Sequence, residues 1–273
     1  MISGLYTAAS GMIAEQRREQ ILSNNLNNMD TPGYKQDTSK LRSFPEMLMQ
    51  RIGGDAPTAS VGDLPTGVYD EETVPDFSQG TLTQTDKKTD VAISTQQLPV
   101  NPTTGAQEGA LLFRVQTPAG ATRYTRDGHF TLNAAGQLTD DAGDKVLDSA
   151  GQPLQVGNED ISIADDGTIS SMATGARFGQ IGISYAANTN QLVQEGGGLY
   201  RLQGGGTLPS AIGQNAVAYQ LKQGSLEGSN VSPDETVTDM MEAYRSFEAN
   251  QKVLQILNNT LDKAVNQVGR INS

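Results

Sequence analysis

SPDETVTDMMEAYRSFEANQKVLQILNNTLDKAVNQV, residues 232–268, holds no glycine and decides how the rest of the chain is read. Ser232-Pro233-Asp234-Glu235 opens it as a helix start: a serine cap, proline at the first helical position and glutamate three residues after the cap. Serine can accept from an otherwise unpaired backbone N–H, and proline's missing N–H is lost on nothing there. Val237, Met240, Tyr244, Phe247, Gln251, Leu254, Asn258, Leu261, Val265 and Val268 then follow in alternating steps of three and four. A 3.5-residue repeat keeps one stripe facing a partner helix along its whole length, so the segment predicts a coiled-coil strand. Gln251 and Asn258 would set its register. The plainer alternative is an amphipathic helix lying on a globular domain.

A counterpart lies at the other end. No glycine occurs between Gly11 and Gly33, and residues 2–28 read as a helix. Leu5, Ala8, Met12, Glu15, Glu19, Leu22, Leu26 and Met29 give it a heptad seam with two charged interruptions. Ala8 to Gly11 are small enough for another helix to approach closely. Asn24 and Asn25 then lead into Thr31-Pro32-Gly33-Tyr34. Proline cannot donate to a helical ladder and disfavours helical geometry at Thr31, while Gly33 permits a sharp exit. TPG is therefore read as the end of the helix. The two terminal segments, 1–35 and 229–273, are expected to pair as an assembly core.

The middle differs in composition. Of the 30 glycines, 26 fall between Gly53 and Gly228. Turn signals at Asp127-Gly128, Ala135-Gly136, Gly143 and Gly151 recur about every eight residues, with short β-rich runs between them. Ile161–Ile163, Asp165-Asp166-Gly167 and Thr168-Ile169 form a further hairpin pattern. Residues 79–228 thus predict an all-β domain of hairpins. Residues 36–78, with Pro45, Pro57, Pro65 and Pro75, read as an extended connector with a short helix near Phe44–Arg51. The fold class is α+β: long paired N- and C-terminal helices and a central all-β domain.

Function classes fall away in turn. A formal net charge of −12 at pH 7 argues against nucleic acid and anionic lipid. Absence of cysteine removes disulfides and thiolate chemistry. No run of apolar residues is long enough for a membrane span, and the first residues lack the basic, then apolar, order of a signal peptide. His129 is the sole histidine, with Asp127 two residues before it, but no nucleophile elbow accompanies them. Asp140, Asp141 and Asp144 miss the EF-hand spacing and read as turn formers. The glycine clusters at 196–198 and 204–206 do not open helices, so they are loops rather than phosphate cradles. No catalytic residue, cofactor or metal is expected.

The residues so assembled resemble the axial proteins of the bacterial flagellar basal body, which build the rod and continue into the hook. LYTAASGM (5–12) and NNLNNMDTPGYK (24–35) are similar to that family's N-terminal signature. DFSQGTLTQTDKKTDVAI (76–93), VQTPAGATRYTRDGHFTLNAAGQL (115–138), EGSNV (227–231) and DMMEAYRSFEANQKVLQ (239–255) resemble its later motifs in the right order. The likeness is greatest to the distal rod type, including Gram-positive variants. It implies a structural, non-enzymatic motility protein that associates with itself and with other rod and hook subunits. It also implies export by the flagellar type III apparatus without a cleaved signal peptide, and location in the basal body.

The residues add a mechanism. One helix pair leaves apolar flanks, among them Ile13, Met241, Ile256 and Leu257, for neighbouring copies to cover. A head-to-tail contact that does not close generates a helical filament. The expected assembly interface comprises Leu5, Met12, Leu22, Leu26, Val237, Met240, Tyr244, Phe247, Leu254, Leu261, Val265 and Val268. Two rival readings are a trimeric, adhesin-like fibre and a glycan hydrolase carried on the β domain.

Overall fold

Among the described residues, helix α1 (Ile2–Asn27) and helix α2 (Pro233–Val268) bracket nineteen strands. The computed structural model describes residues 2–43, 47–50, 60–64, 67–100, 109–157 and 160–268. The chain divides into two units that do not follow sequence order. Met1–Asn27, Asp37–Val74 and Ser232–Ser273 make a helical unit; Asn28–Gln36 and Pro75–Val231 make a β unit.

In the helical unit α1 and α2 run antiparallel. A Cβ added to Gly4 would lie 3.4 Å from Leu257, and one added to Gly11 would lie 2.9 Å from Asn250. Arg18 reaches to 3.9 Å from Asp239. The small residues thus let the helices approach closely. Ala8, Leu22 and Asn25 of α1 and Thr236 and Ala243 of α2 are buried, and Leu254, Leu257 and Leu261 are half-buried. The heptad read as 237, 244, 251 and 258 is exposed and offset by one from the stripe that packs on α1, which is buried at 236 and 243 and half-buried at 250 and 257. The other half of the repeat, 240, 247, 254 and 261, coincides with half-buried positions. The larger residues attract the reading, yet close approach selects the small ones, Thr236 and Ala243.

Helix α1 ends at Asn27, before TPG, which stands in the turn that follows. Asn25 explains part of the asparagine run. Its side-chain amide donates to Asp37 O at 2.8 Å and accepts from Asp37 N at 2.9 Å, holding the first residue of β1 (Asp37–Ser43) at both backbone groups. Strands β2 (Met47–Gln50) and β3 (Ser60–Leu64) pair antiparallel, and β1 pairs with β4 (Val68–Pro75). The short helix expected near 44–51 is, over its described residues, β2. An extended partner satisfies the backbone groups that so short a helix would leave open.

The β unit contains β5 (Leu82–Gln84), β6 (Val91–Gln97), β7 (Ala110–Gln116), β8 (Thr122–Thr125), β9 (Thr131–Leu132), β10 (Leu138–Thr139) and β11 (Lys145–Val146). It continues with β12 (Ile161–Ile163), β13 (Thr168–Ser171), β14 (Arg177–Gln180), β15 (Ile183–Ala186), β16 (Leu192–Glu195), β17 (Leu199–Leu202), β18 (Ala218–Gln223) and β19 (Ser225–Glu227). Strand β7 is its centre and pairs with β8, β11 and β15. Leu111, Phe113 and Val115 enter the main core with Ile93, Phe130, Leu138, Ile181 and Leu221. Ala110 and Leu112 enter a second cluster with Tyr124, Leu192 and Tyr200. Successive side chains point to opposite faces of a strand, so a continuous apolar run marks one that is covered on both.

The eight-residue rhythm comes from turns that bond to themselves. Asp140 Oδ1 accepts from Ala142 N and Asp144 N, and Asp148 Oδ1 accepts from Ala150 N and Gln152 N. These carboxylates satisfy the turn backbone.

Candidate functional site

Glu227, at the end of β19, is almost wholly buried and faces two cations. Lys35 Nζ lies 2.6 Å from Oε1 and Arg126 Nε lies 2.5 Å from Oε2. Lys35 is itself fully buried and also donates to Ser78 O at 2.7 Å. Arg126 donates further to Leu111 O at 2.6 Å and Ile93 O at 3.0 Å. Gly80 N adds a bond to Glu227 Oε1 at 2.9 Å. Each buried charge therefore has a charge partner and further hydrogen bonds, the condition under which burial is tolerable. Burial works to raise the proton affinity of Glu227, but Arg126 and Lys35 outweigh it and hold the carboxyl below its ordinary value. Burial pushes the Lys35 ammonium down, with Glu227 opposing.

The same place gathers the chain segments that enter and leave the β unit. Gly33 N donates to Glu227 O at 2.7 Å. Gln36 N donates to Asn230 Oδ1 at 2.7 Å, and Asn230 Nδ2 donates to Asp76 O at 2.9 Å. Gly33 has φ +68, and a Cβ there would fall 2.4 Å from Asp127 N. No other residue could occupy that approach without moving the backbone of the Arg126-Asp127 corner. Tyr34 is buried beside it in sequence, Thr31 and Pro32 are half-buried, and Asn24 is exposed.

The expected interface residues lie on the helical unit. Leu22 is buried; Leu5, Met12, Leu26, Met240, Phe247, Leu254 and Leu261 are half-buried. Val237 and Tyr244 are exposed, as are Ile13, Met241 and Ile256, whereas Leu257 faces α1 at Gly4. The side chains of Val265 and Val268 lie outside the described residues. Glu19, Met240, Met241, Tyr244, Arg245 and Glu248 line an open groove of about 420 Å³.

No catalytic arrangement emerges around the histidine. Asp127 Oδ1 accepts the backbone N–H of His129 at 2.9 Å, and His129 Nδ1 sits 2.8 Å from Asp90 Oδ1. Burial, opposed by that backbone bond, pushes the Asp127 carboxyl up to about 6. Among the described residues no group of three or more His, Cys, Asp or Glu could hold a metal, and no helix is long and apolar enough to cross a membrane.

Three family models match: "Flagella basal body rod protein" over residues 5–35, "Flagellar hook protein FlgE/F/G D1 domain" over 106–171 and "Flagellar basal body rod FlgEFG protein C-terminal" over 222–268. The flagellar hook-basal body complex protein FlhO of Bacillus subtilis is 44% identical over 99% of this chain and 100% of its own length. The chain belongs to the flagellar basal-body rod and hook-basal-body protein family. The flagellar basal-body rod protein FlgF of Caulobacter vibrioides is 31% identical over 100% of both chains. FlgG of Bacillus subtilis is 31% identical over 97% of this chain and 98% of its own. The family is structural rather than enzymatic, and this chain is an axial component of the flagellum. Lys35, Arg126 and Glu227 fall one in each of the three matched regions. Sequence reading quoted all three inside motifs without pairing them, because no local pattern tells a buried lysine from a solvated one.

Proposed function

We propose that this basal-body protein polymerises with itself into a helical tube that transmits torque, joining other rod and hook subunits at its ends. The α1–α2 unit is the assembly core, its helices forming coiled-coil contacts in the polymer. The distal rod type in a Gram-positive setting and export by the flagellar type III apparatus belong to the same reading. The observation that carries it is the exposed apolar flank of the helical unit: Tyr244 is 52% exposed, Ile256 63% and Ile13 58%. Around Tyr244 the apolar Met240 and Met241 line a groove with Glu19, Arg245 and Glu248, and exposed apolar residues rimmed by charge mark an interaction face.

The test compares wild type with Tyr244→Asp and Ile256→Asp by sedimentation and electron microscopy. Because both residues point away from the α1–α2 seam, each variant should keep its helical circular dichroism and lose polymer. Unchanged polymer in both variants removes this face from the interface.

A further inference from the structure

We propose that Glu15 is a proton-operated brake on closure of the α1–α2 pair, weakening it when ionised and releasing it when neutral. The inference concerns the single chain and stands apart from polymerisation.

Glu15 is half-buried beside the buried Ala14, on the stretch of α1 between the buried Gly11 and Leu22. Its Oε2 is shut off from solvent and accepts no hydrogen bond. A carboxylate oxygen buried without a donor forfeits its hydration and gains nothing in return. Among the charges acting on it, the attraction of Arg18 exceeds the repulsion of Glu242 but does not cancel the effect of burial. Glu242 of α2 places a like charge nearby, whereas Arg18 of α1 attracts it; β1, which also packs on α1, adds no charge that acts on it. Arg18 is meanwhile drawn to Asp239 at 3.9 Å. Burial first, then Glu242, raises the proton affinity of Glu15 against the pull of Arg18.

The sign follows. A carboxyl whose proton affinity is raised by pairing favours the paired state at low pH, and that advantage is lost as pH rises through the folded value. The helices are therefore held less tightly near neutrality than their apolar residues alone would allow. Asp37, in the same unit, and Asp127, in the β unit, are also raised, to about 6. Asp140 and Asp144 are raised as well, so a pH profile of the wild type alone mixes several groups, and the difference between a Glu15 variant and the wild type isolates one.

The experiment is hydrogen exchange by mass spectrometry on the full chain, at concentrations where sedimentation finds monomer. Glu15→Gln, which removes the charge and keeps the shape, should slow exchange in both helices about fivefold at pH 7.5, because a neutral amide costs far less to desolvate than a carboxylate. The gain over wild type should shrink towards pH 4.5, and β-unit peptides should not change. Glu242→Gln, which removes the opposing charge from the other helix, should act in the same direction. Exchange as fast as wild type in both variants at pH 7.5 overturns the proposal, and so does a gain that persists unchanged at pH 4.5.

Discussion

Gly33 does two separate jobs, and they can be separated by substitution. Its φ of +68 alone would cost another residue about 1–2 kcal/mol. The nearby backbone of Arg126 and Asp127, 2.4–2.6 Å from a would-be Cβ, adds a clash that no side-chain rotation relieves. Gly120, with φ +84 and nothing within 4 Å, carries only the first penalty. Gly33→Ala should therefore lower stability in urea unfolding well beyond Gly120→Ala, which should cost about 1–2 kcal/mol. Equal effects would mean that the corner yields. Asp127 offers a pH test. Its raised carboxyl favours the folded state when protonated, so its contribution falls as pH rises from the ordinary aspartate range through about 6. Asp127→Asn keeps an acceptor for His129 N and should raise the melting temperature at pH 7.5 but hardly at pH 4. TPGYK was legible as a break, since proline and glycine act through local backbone geometry. The burial of Lys35 was not, because Glu227 is 192 residues away in sequence.

Among elements, the helices were the most readable and their register the least. A 3.5-residue repeat persists through α2 whichever of two adjacent stripes is chosen, and Val237 and Tyr244 drew the choice towards the larger side chains. Gly4 and Gly11 on α1 decide otherwise, since they let Leu257 and Asn250 come close. Leu257→Asp should consequently unpair the helices. Leu257 is half-buried, so its loss forfeits part of the about 1.5–3 kcal/mol that full burial of a leucine supplies, and the buried charge adds a desolvation cost. Far-UV circular dichroism should fall while the near-UV signal of the β-unit tyrosines persists; retained helicity would place the seam elsewhere. β7 was legible as a strand because alternate residues serve two clusters. β2 was misread because a three-residue apolar run carries no period, and its pairing with β3 is a non-local choice.

At the scale of the whole molecule, the units interleave along the chain, so truncation should respect contacts rather than sequence order. Removing residues 1–27 leaves Gly33 and Lys35 in the β unit. Removing 1–36 also takes Lys35 and leaves Arg126 alone against Glu227. The first truncation should melt cooperatively. The second should be destabilised by about 3–5 kcal/mol, as when one partner of a buried ion group is lost. Equal stabilities by thermal melting would assign residues 28–36 no part in the β unit. Local chemistry alone dictated that two long helices flank a glycine-punctuated β region, and the lack of cysteine rules out thiol chemistry. Caps, turns and hydrophobic periods act between near neighbours, so a linear reading captures them. Which stripe of α2 meets α1, that one oxygen of Glu15 is closed off without a donor, and that one carboxylate gathers cations from distant motifs were settled by the folded chain alone. Those outcomes depend on burial and Coulomb energy between residues that only folding brings within a few ångströms.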